Sequence, residues 1–398
     1  MTLHSHRLLI LGGGLWQQPY VLKAKELGFE VFLTDWSREA PASRYADVFR
    51  QIDLTDIEAT TTFAEQHRVD AVLTAADIGV FTAACVADRL GLRYHSRDLA
   101  LTATDKYEMR KAALRAGLDI PRFCLARSKE EGVHAAGEIG FPLVIKPTDN
   151  CSSRGVTYVP DRDTLPAAIE KAFGASRSQR ILVEEFMRGI EGSVEALVLN
   201  NELLTLGICD KVKSSLPYRY DLQLAYPGNY SASQLECIQH LVERLTKQLG
   251  IQQGIIHVEI MVGVDAVRLI EFAVRGCGSN VVTHLIPAMT GFDVVKHLVY
   301  DAFGIVGDVQ FTRKLHGILK FIMLPRGRLK RITGIEEMQA VPGIVEAQLE
   351  RTPGDVIGSI VDGRSRPGYV LAVGHTRDEV ESVAATAINK LQIEYATE

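Results

Sequence analysis

Leu8-Leu9-Ile10-Leu11 runs straight into Gly12-Gly13-Gly14, and this abrupt change constrains the fold more than any other feature of the chain. An apolar run this short, followed by a helical pattern over residues 17–28, reads as a buried strand, a tight turn and a crossover helix. Residues 30–34 and 70–74 repeat the rhythm, the latter after another helical segment. Short apolar runs separated by helices imply parallel strands in an open α/β sheet. A secretory leader would want a longer apolar region and a small-residue cleavage site, which this stretch lacks. No apolar run elsewhere approaches the length of a bilayer crossing, so no membrane association is expected.

A chain of 398 residues is too long for one ordinary core and calls for two to four packed units. The first is expected over residues 1–104. A second, over 105–179, has an amphipathic helix to Gly117, a strand at 122–125, a helix at 129–140 and a strand at 143–146. From residue 180 to 313 the rhythm changes to hairpin strands, at Ile181–Glu185, 193–199 and 203–211, with Asn200-Asn201 marking a tight turn. Strands at 255–262 and 267–274 follow the helical stretch 233–250. The segment 314–398 again mixes strands, at 317–324 and 369–373, with a closing helix over 376–391. No low-complexity linker separates the units, so they are expected to pack tightly.

Hydrophobic residues make up 46% and charged residues 23%, the balance of a globular protein, and the formal charge is −5. That charge exerts no general pull on nucleic acid or an anionic membrane, so any phosphate site must be built locally. The six cysteines lie far apart without a Cys-x-x-Cys pair. This spacing speaks against a zinc site or a disulfide framework and fits the cytoplasm.

Three constellations carry chemistry. In the first, Lys146 ends an apolar strand and the polar loop Thr148 to Val156 follows, containing Ser152, Ser153 and Gly155. Free backbone N–H groups in such a loop can cradle phosphate, and lysine supplies a point charge; a surface hairpin with a solvated lysine fits the same string equally well. In the second, the strand Ile181–Glu185 stops at Glu184-Glu185 before Phe186-Met187, an aromatic and a thioether that could sandwich a flat ring. By itself that string more commonly marks a strand edge with solvated glutamates. In the third, Glu259 and Glu271 sit on adjacent strands of one hairpin, where they can share a face, and Glu271, Ala273 and Arg275 alternate onto one side. Two carboxylates among apolar residues are costly unless compensated. Magnesium held by carboxylates and substrate phosphates would do so. One arginine could pair with one glutamate but cannot neutralise both.

The order of these elements resembles the ATP-grasp superfamily over residues 105–280, and the first sheet is similar to the pre-ATP-grasp domain that precedes it. Lys320 to Leu324, Gly327, Gly334, Pro342-Gly343, Tyr369 to Thr376 and Asp210-Lys211 are similar to the L-amino-acid ligase branch of carboxylate–amine ligases. The resemblance implies an α/β fold with an N-terminal open parallel sheet, the ATP-grasp core and a C-terminal α+β subdomain. It implies an ADP-forming ligase that makes an amide or peptide bond through an acyl phosphate, using ATP and Mg2+, with Mn2+ a substitute. Lys106 and Lys146 match nucleotide lysines, and Ser152, Ser153, Gly155 and Val156 the loop over the phosphates. Glu184, Glu185, Phe186 and Met187 match the adenine hinge, Glu191 the ribose acid, and Glu259 and Glu271 the metal ligands. Arg275 matches the arginine facing the transferred group, and Gly276, Gly278 and Ser279 flank the substrate. The partners implied are a small carboxylate, often an amino acid, and an amine; the resemblance leaves room for a homodimer.

Ala273 departs from the pattern, since many members carry a metal-binding Asn there. Among rival readings, a carboxyphosphate-using enzyme of purine-type metabolism shares the fold. A nicotinamide-dependent oxidoreductase could use Gly12-Gly13-Gly14 and Asp35, but Gln17 stands where the third glycine of that fingerprint should be. As part of an ATP-grasp chain, the glycine loop is expected to shape the substrate cleft instead. A nucleotide-binding regulator without turnover would need no arginine at a transfer site. His257 and His284 read as satisfied core residues.

Overall fold

The computed structural model describes residues 6–150, 154–264 and 266–396. Strands β1 (Arg7–Leu11), β2 (Glu30–Asp35), β3 (Val48–Gln51) and β4 (Ala71–Thr74) form a wholly parallel sheet in the order β3-β2-β1-β4. Each strand is buried nearly throughout except β3 at the edge, as apolar runs flanked by helices require. Only β3 had no counterpart in the sequence pattern. Its residues Val48-Phe49-Arg50-Gln51 carry no sustained apolar signal, and the strand is half-buried at Val48 and Phe49 and exposed at Arg50 and Gln51.

The second sheet is antiparallel and holds β5 (Phe123–Ala126), β6 (Leu143–Pro147), β7 (Thr157–Val159) and β8 (Ile181–Glu185) in the order β5-β8-β6-β7. The boundary expected at residue 180 therefore falls in the wrong place. Ile181–Glu185 pairs with β5 and β6 and completes the small unit before the chain moves on.

The largest sheet has eight strands. Its first five are β9 (Ile190–Leu199), β10 (Glu202–Lys213), β11 (Asp221–Tyr226), β12 (Gly254–Val262) and β13 (Val267–Ala273). From the C-terminal segment come β14 (His316–Ile322), β15 (Gly327–Thr333), β16 (Ile344–Leu349), β17 (Val356–Ile357), β18 (Gly368–Gly374) and β19 (Gln392–Tyr395). The order β13-β12-β9-β10-β11-β14-β18-β16 makes three of these strands a continuation of the central sheet, joined where β11 pairs with β14. The C-terminal segment is thus not a separate layer; only β17-β15-β19 form a small sheet of their own. Asn200 and Asn201 both adopt left-handed φ, 51° and 69°, as the β9–β10 hairpin turn demands.

One buried cluster runs from Leu8, Ile10, Val31 and Leu33 of the first sheet through Val282, Leu285 and Val295 to Leu224, Leu319 and Leu371 of the large one. At roughly 25 cal/mol per Å² of apolar surface removed from water, such shared burial locks the units against each other. Among the described residues, no helix is long and apolar enough to cross a membrane.

Candidate active site

Lys106 owes its position to a helix start. Asp105 caps the helix Lys106–Arg115, accepting from the N–H groups of Tyr107 and Glu108, and pairs with Arg180. The Lys106 ammonium then reaches the Asn150 carbonyl at 2.9 Å and Glu271 at 2.8 Å. Lys146, on β6, is buried and pairs with Glu184 at 2.7 Å, while Arg110 donates to the same carboxylate at 2.7 and 3.3 Å. Burial by itself would raise the Glu184 carboxyl, but Arg110 and Lys146 outweigh it and hold its pKa at about 2. The Lys146 ammonium moves down, because its burial outweighs the attraction of Glu184.

On β12 and β13, Glu259 and Glu271 are direct cross-strand partners, so the two carboxylates do share a face. Period-2 alternation puts Ser193 and Glu195 of β9, and His257 of β12, on the same face. Glu259 is ion-paired with the buried Lys211, and His257 stands between the Glu195 carboxylate and Glu259, the latter 3.5 Å from its Nε2. Burial would push the His257 imidazole down, but Glu195 and Glu259 raise it to about 9, so it is a cation at neutral pH. Glu195, His257 and Cys277 bring their ligand atoms within 4.8 Å of one another. With its ring held between the Glu195 and Glu259 carboxylates, His257 braces Glu259 from behind. The expectation that His257 is a satisfied interior residue described its burial but not its charge.

These groups line a cavity of about 270 Å³. Lys106, Lys146, Glu259, Glu271 and Arg275 supply its charged lining. Val144, Val156, Tyr158, Phe186, Met187 and Ile270 supply an apolar part, in which the Tyr158 ring meets Phe186 edge-on at 4.8 Å. Glu184 lines the cavity too, with its side chain committed to Arg110 and Lys146. The Glu185 carboxylate turns outward to Arg268, 3.2 Å away. Glu191 lines the cavity but is already ion-paired, to Lys213 at 2.7 Å and Arg219 at 3.3 Å. Gly155, with φ of 74°, packs so tightly on Pro147 and Ala175 that a Cβ would come within 2.8 Å of them. Ser152 and Ser153 lie outside the described residues.

Arg275 does not pair with either glutamate. Its Nε donates to Asp77 at 3.0 Å, a residue of the N-terminal sheet, and Nη1 to the Gly276 carbonyl. A Cβ on Gly276 would strike Val282 at 2.5 Å, and Ser279 and Asn280 hold left-handed φ values of 53° and 56°. Ser279 and Gly278 line the 270 Å³ cavity, and Gly276 and Gly278 a second one beside it of about 980 Å³. Sequence reasoning missed Lys211 as a partner of Glu259, Asp77 as the anchor of Arg275, and Arg366, whose guanidinium stacks 3.3 Å above the Phe321 ring at the junction of the two cavities. Asp77 and Arg366 sit in no local motif, and Lys211, although part of Asp210-Lys211, meets Glu259 only through the order of β10, β9 and β12 in the sheet. Asp35 spends its carboxylate on the N–H groups of Gly13 and Ser37, at 2.7 and 2.8 Å, which removes it as a ribose reader for a dinucleotide.

The paired carboxylates fit a divalent cation. Lysine ammonium groups neutralise them here, and a cation held by both together with phosphate oxygens compensates the same charge.

Comparison with known proteins agrees with this geometry. Residues 139–284 match the family model of the ATP-grasp domain, 21–92 that of the ATP-grasp N-terminal domain, and 320–396 the L-amino acid ligase C-terminal domain 2. The formate-dependent phosphoribosylglycinamide formyltransferase of Prochlorococcus marinus is 27% identical over 74% of this chain and 76% of its own. That of Marinobacter nauticus is 25% identical over 98% of both. Among solved structures, the L-amino acid ligase from Bacillus licheniformis superposes with a TM-score of 0.83 at 22% identity, over 98% of this chain and 99% of that one. Phosphoribosylglycinamide synthetase from Anaerococcus prevotii does so with 0.78 at 20%, over 98% and 100%. The chain therefore carries an ATP-grasp N-terminal domain, an ATP-grasp domain and a C-terminal domain of the L-amino acid ligase type.

Proposed function

We propose that this protein transfers the γ-phosphoryl group of ATP to a substrate carboxylate and couples the acyl phosphate to an amine, with an amino acid as one substrate. The observation that carries the reading is the cross-strand pair Glu259 and Glu271, which shares one cavity with Lys106, Lys146 and Arg275 and with the apolar side chains of Tyr158, Phe186 and Ile270. The slot between Tyr158, Phe186 and Ile270 takes the adenine, with the backbone of residues 184–187 at its edge. Glu259 and Glu271 would hold magnesium, which when bound neutralises charge on the phosphate oxygens.

Lys106 and Lys146 face phosphate oxygens, and Arg275 faces the group in transfer. A carboxylate oxygen attacks the γ-phosphorus and the bond to the β-phosphate oxygen breaks, releasing ADP. The amine nitrogen then attacks the acyl carbon, loses a proton, and phosphate leaves carrying the former carboxylate oxygen. Positioning and charge neutralisation supply the rate, as in other phosphoryl transfers.

The test uses hydroxylamine as the amine. A hydroxamate with ADP and phosphate is the expected outcome, and oxygen-18 placed in the carboxylate should appear in the phosphate. AMP and pyrophosphate as products would sink the reading.

A further inference from the structure

Three large apolar side chains stand at the carboxyl ends of neighbouring parallel strands. Trp16 follows β1 through the glycine loop, Trp36 directly follows β2, and Ile78 lies in the single turn after β4. All three line the cavity of about 980 Å³, and they are 39%, 69% and 43% exposed. Ligands of open parallel sheets bind in the crevice outside these strand ends, at the point where strand order reverses. With the order β3-β2-β1-β4, that point lies between β1 and β4, beside Trp16 and Ile78. Two indoles and an isoleucine left open to one cavity cost solvation unless an apolar ligand covers them. The Trp36 backbone is fixed by its carbonyl, which accepts from Gln51 at 2.9 Å, and the Trp16 ring lies 3.5 Å from where a Cβ on Gly278 would sit.

The opposite wall has a different chemistry. Arg366 joins both cavities and is fixed by the carbonyls of Gly363 and Asp221, at 2.8 and 3.0 Å, and by the face of Phe321. Those partners are neutral, so its positive charge faces the junction without a carboxylate in ion-pair distance among the described residues. Arg275 reaches the same junction. Trp16 lines both cavities, so the apolar ledge begins where the nucleotide cavity ends. A ligand that spans this arrangement has an anionic head at the arginines and an apolar body on the ledge.

Resting on the acyl-phosphate reading above, we infer that the crevice between Trp16, Trp36 and Ile78 selects an acyl donor with an aromatic or large apolar body, its carboxylate directed to Arg366 and Arg275. Apolar selectivity of this kind is worth about tenfold or more between a ring and a methyl group.

The chain has two tryptophans and both belong to the ledge, so its intrinsic fluorescence reports occupancy directly. In the full chain with Mg-ATP and hydroxylamine, kcat/KM for L-phenylalanine and 3-phenylpropionate should exceed that for acetate by about tenfold or more, and Trp36→Ala should cut the ratio to near unity. Both aromatic acids should shift the fluorescence saturably in the presence of Mg-ADP, and acetate and ribose 5-phosphate should not. Hydroxamate formed as readily from acetate, or a ratio unchanged in Trp36→Ala, overturns the ledge and leaves the acyl-phosphate reading standing. No hydroxamate from any acid, with the fluorescence shift retained, supports the ledge and rejects the chemistry instead. Absence of any shift with the aromatic acids overturns the ledge whatever the turnover.

Discussion

Glu184 shows how one carboxylate can organise a site it does not enter. It is buried and collects Arg110 and Lys146, so that the lysine proposed to bind phosphate is aimed by a carboxylate already committed to two cations. Breaking a buried pair from one side strands the other charges and costs about 3–5 kcal/mol. Glu184→Gln should therefore lose about that much stability by denaturant unfolding. The acid limb should change too. Glu184 titrates at about 2 when folded against an ordinary 4.5, so the unfolded chain binds the proton more tightly. Its contribution is complete above a pH of about 4.5 and is lost as pH falls through about 2. The Gln variant should show a shallower loss of stability across that window, and an unchanged slope would refute the account.

The two glutamates proposed to hold magnesium should also differ. Glu259 is braced by Lys211 and His257, whereas Glu271 pairs with Lys106, and Ala273 offers no ligand beside it. Glu271→Gln should abolish turnover at saturating magnesium with little change in melting temperature. Glu259→Gln should lose activity less completely but melt lower, because it leaves Lys211 buried without its counter-charge. Equal residual activity in the two variants would contradict this.

At the scale of elements, the stretch 213–226 is built differently from what its composition alone suggests. Its polar, aromatic composition suggests one long mobile lid. Instead β11 takes residues 221–226 into the central sheet, between β10 and β14, and only the turn 214–220 remains at the hairpin tip. Composition misleads here because β11 reads Asp-Leu-Gln-Leu-Ala-Tyr, half-polar along one side, and its burial comes from C-terminal strands far away in sequence. The tip still bears on the cavity, since Pro217, Tyr218, Arg219 and Tyr220 line it and Arg219 lies 5.7 Å above the Phe186 ring. Replacing residues 216–219 with a two-glycine turn should raise the fraction of ATP hydrolysed without product, as water reaches the acyl phosphate. An unchanged ratio of coupled product to phosphate would dismiss the lid. Elsewhere the local signals sufficed. Glu259 and Glu271 are legible because alternation within one hairpin fixes their common face. Lys211 and Asp77 are not, because their partners are set by sheet order, which no local pattern records.

At the scale of the whole molecule, a polar link ties the N-terminal sheet to the proposed transfer arginine. Arg275 follows β13 of the central sheet, yet its Nε donates to Asp77, which follows β4. The shared core beneath them holds the two sheets together without fixing the orientation of one part-buried guanidinium. The Asp77 carboxylate does that, and it lies on the wall of the larger cavity, so the arginine is oriented by the unit that also lines the donor crevice. Asp77→Asn keeps the size of the side chain and removes the charge-assisted acceptor. Mis-setting a transfer residue by an ångström can cost up to about a hundredfold in rate. The variant should therefore lose about ten- to a hundredfold in kcat, while KM for ATP stays near its original value because the adenine slot and both lysines are untouched. Its melting temperature should move little, since a part-exposed ion pair contributes about 1 kcal/mol or less. A raised KM for ATP with unchanged kcat would mean that Asp77 serves nucleotide binding instead. A large fall in melting temperature would mean that the link holds the units together rather than aiming Arg275.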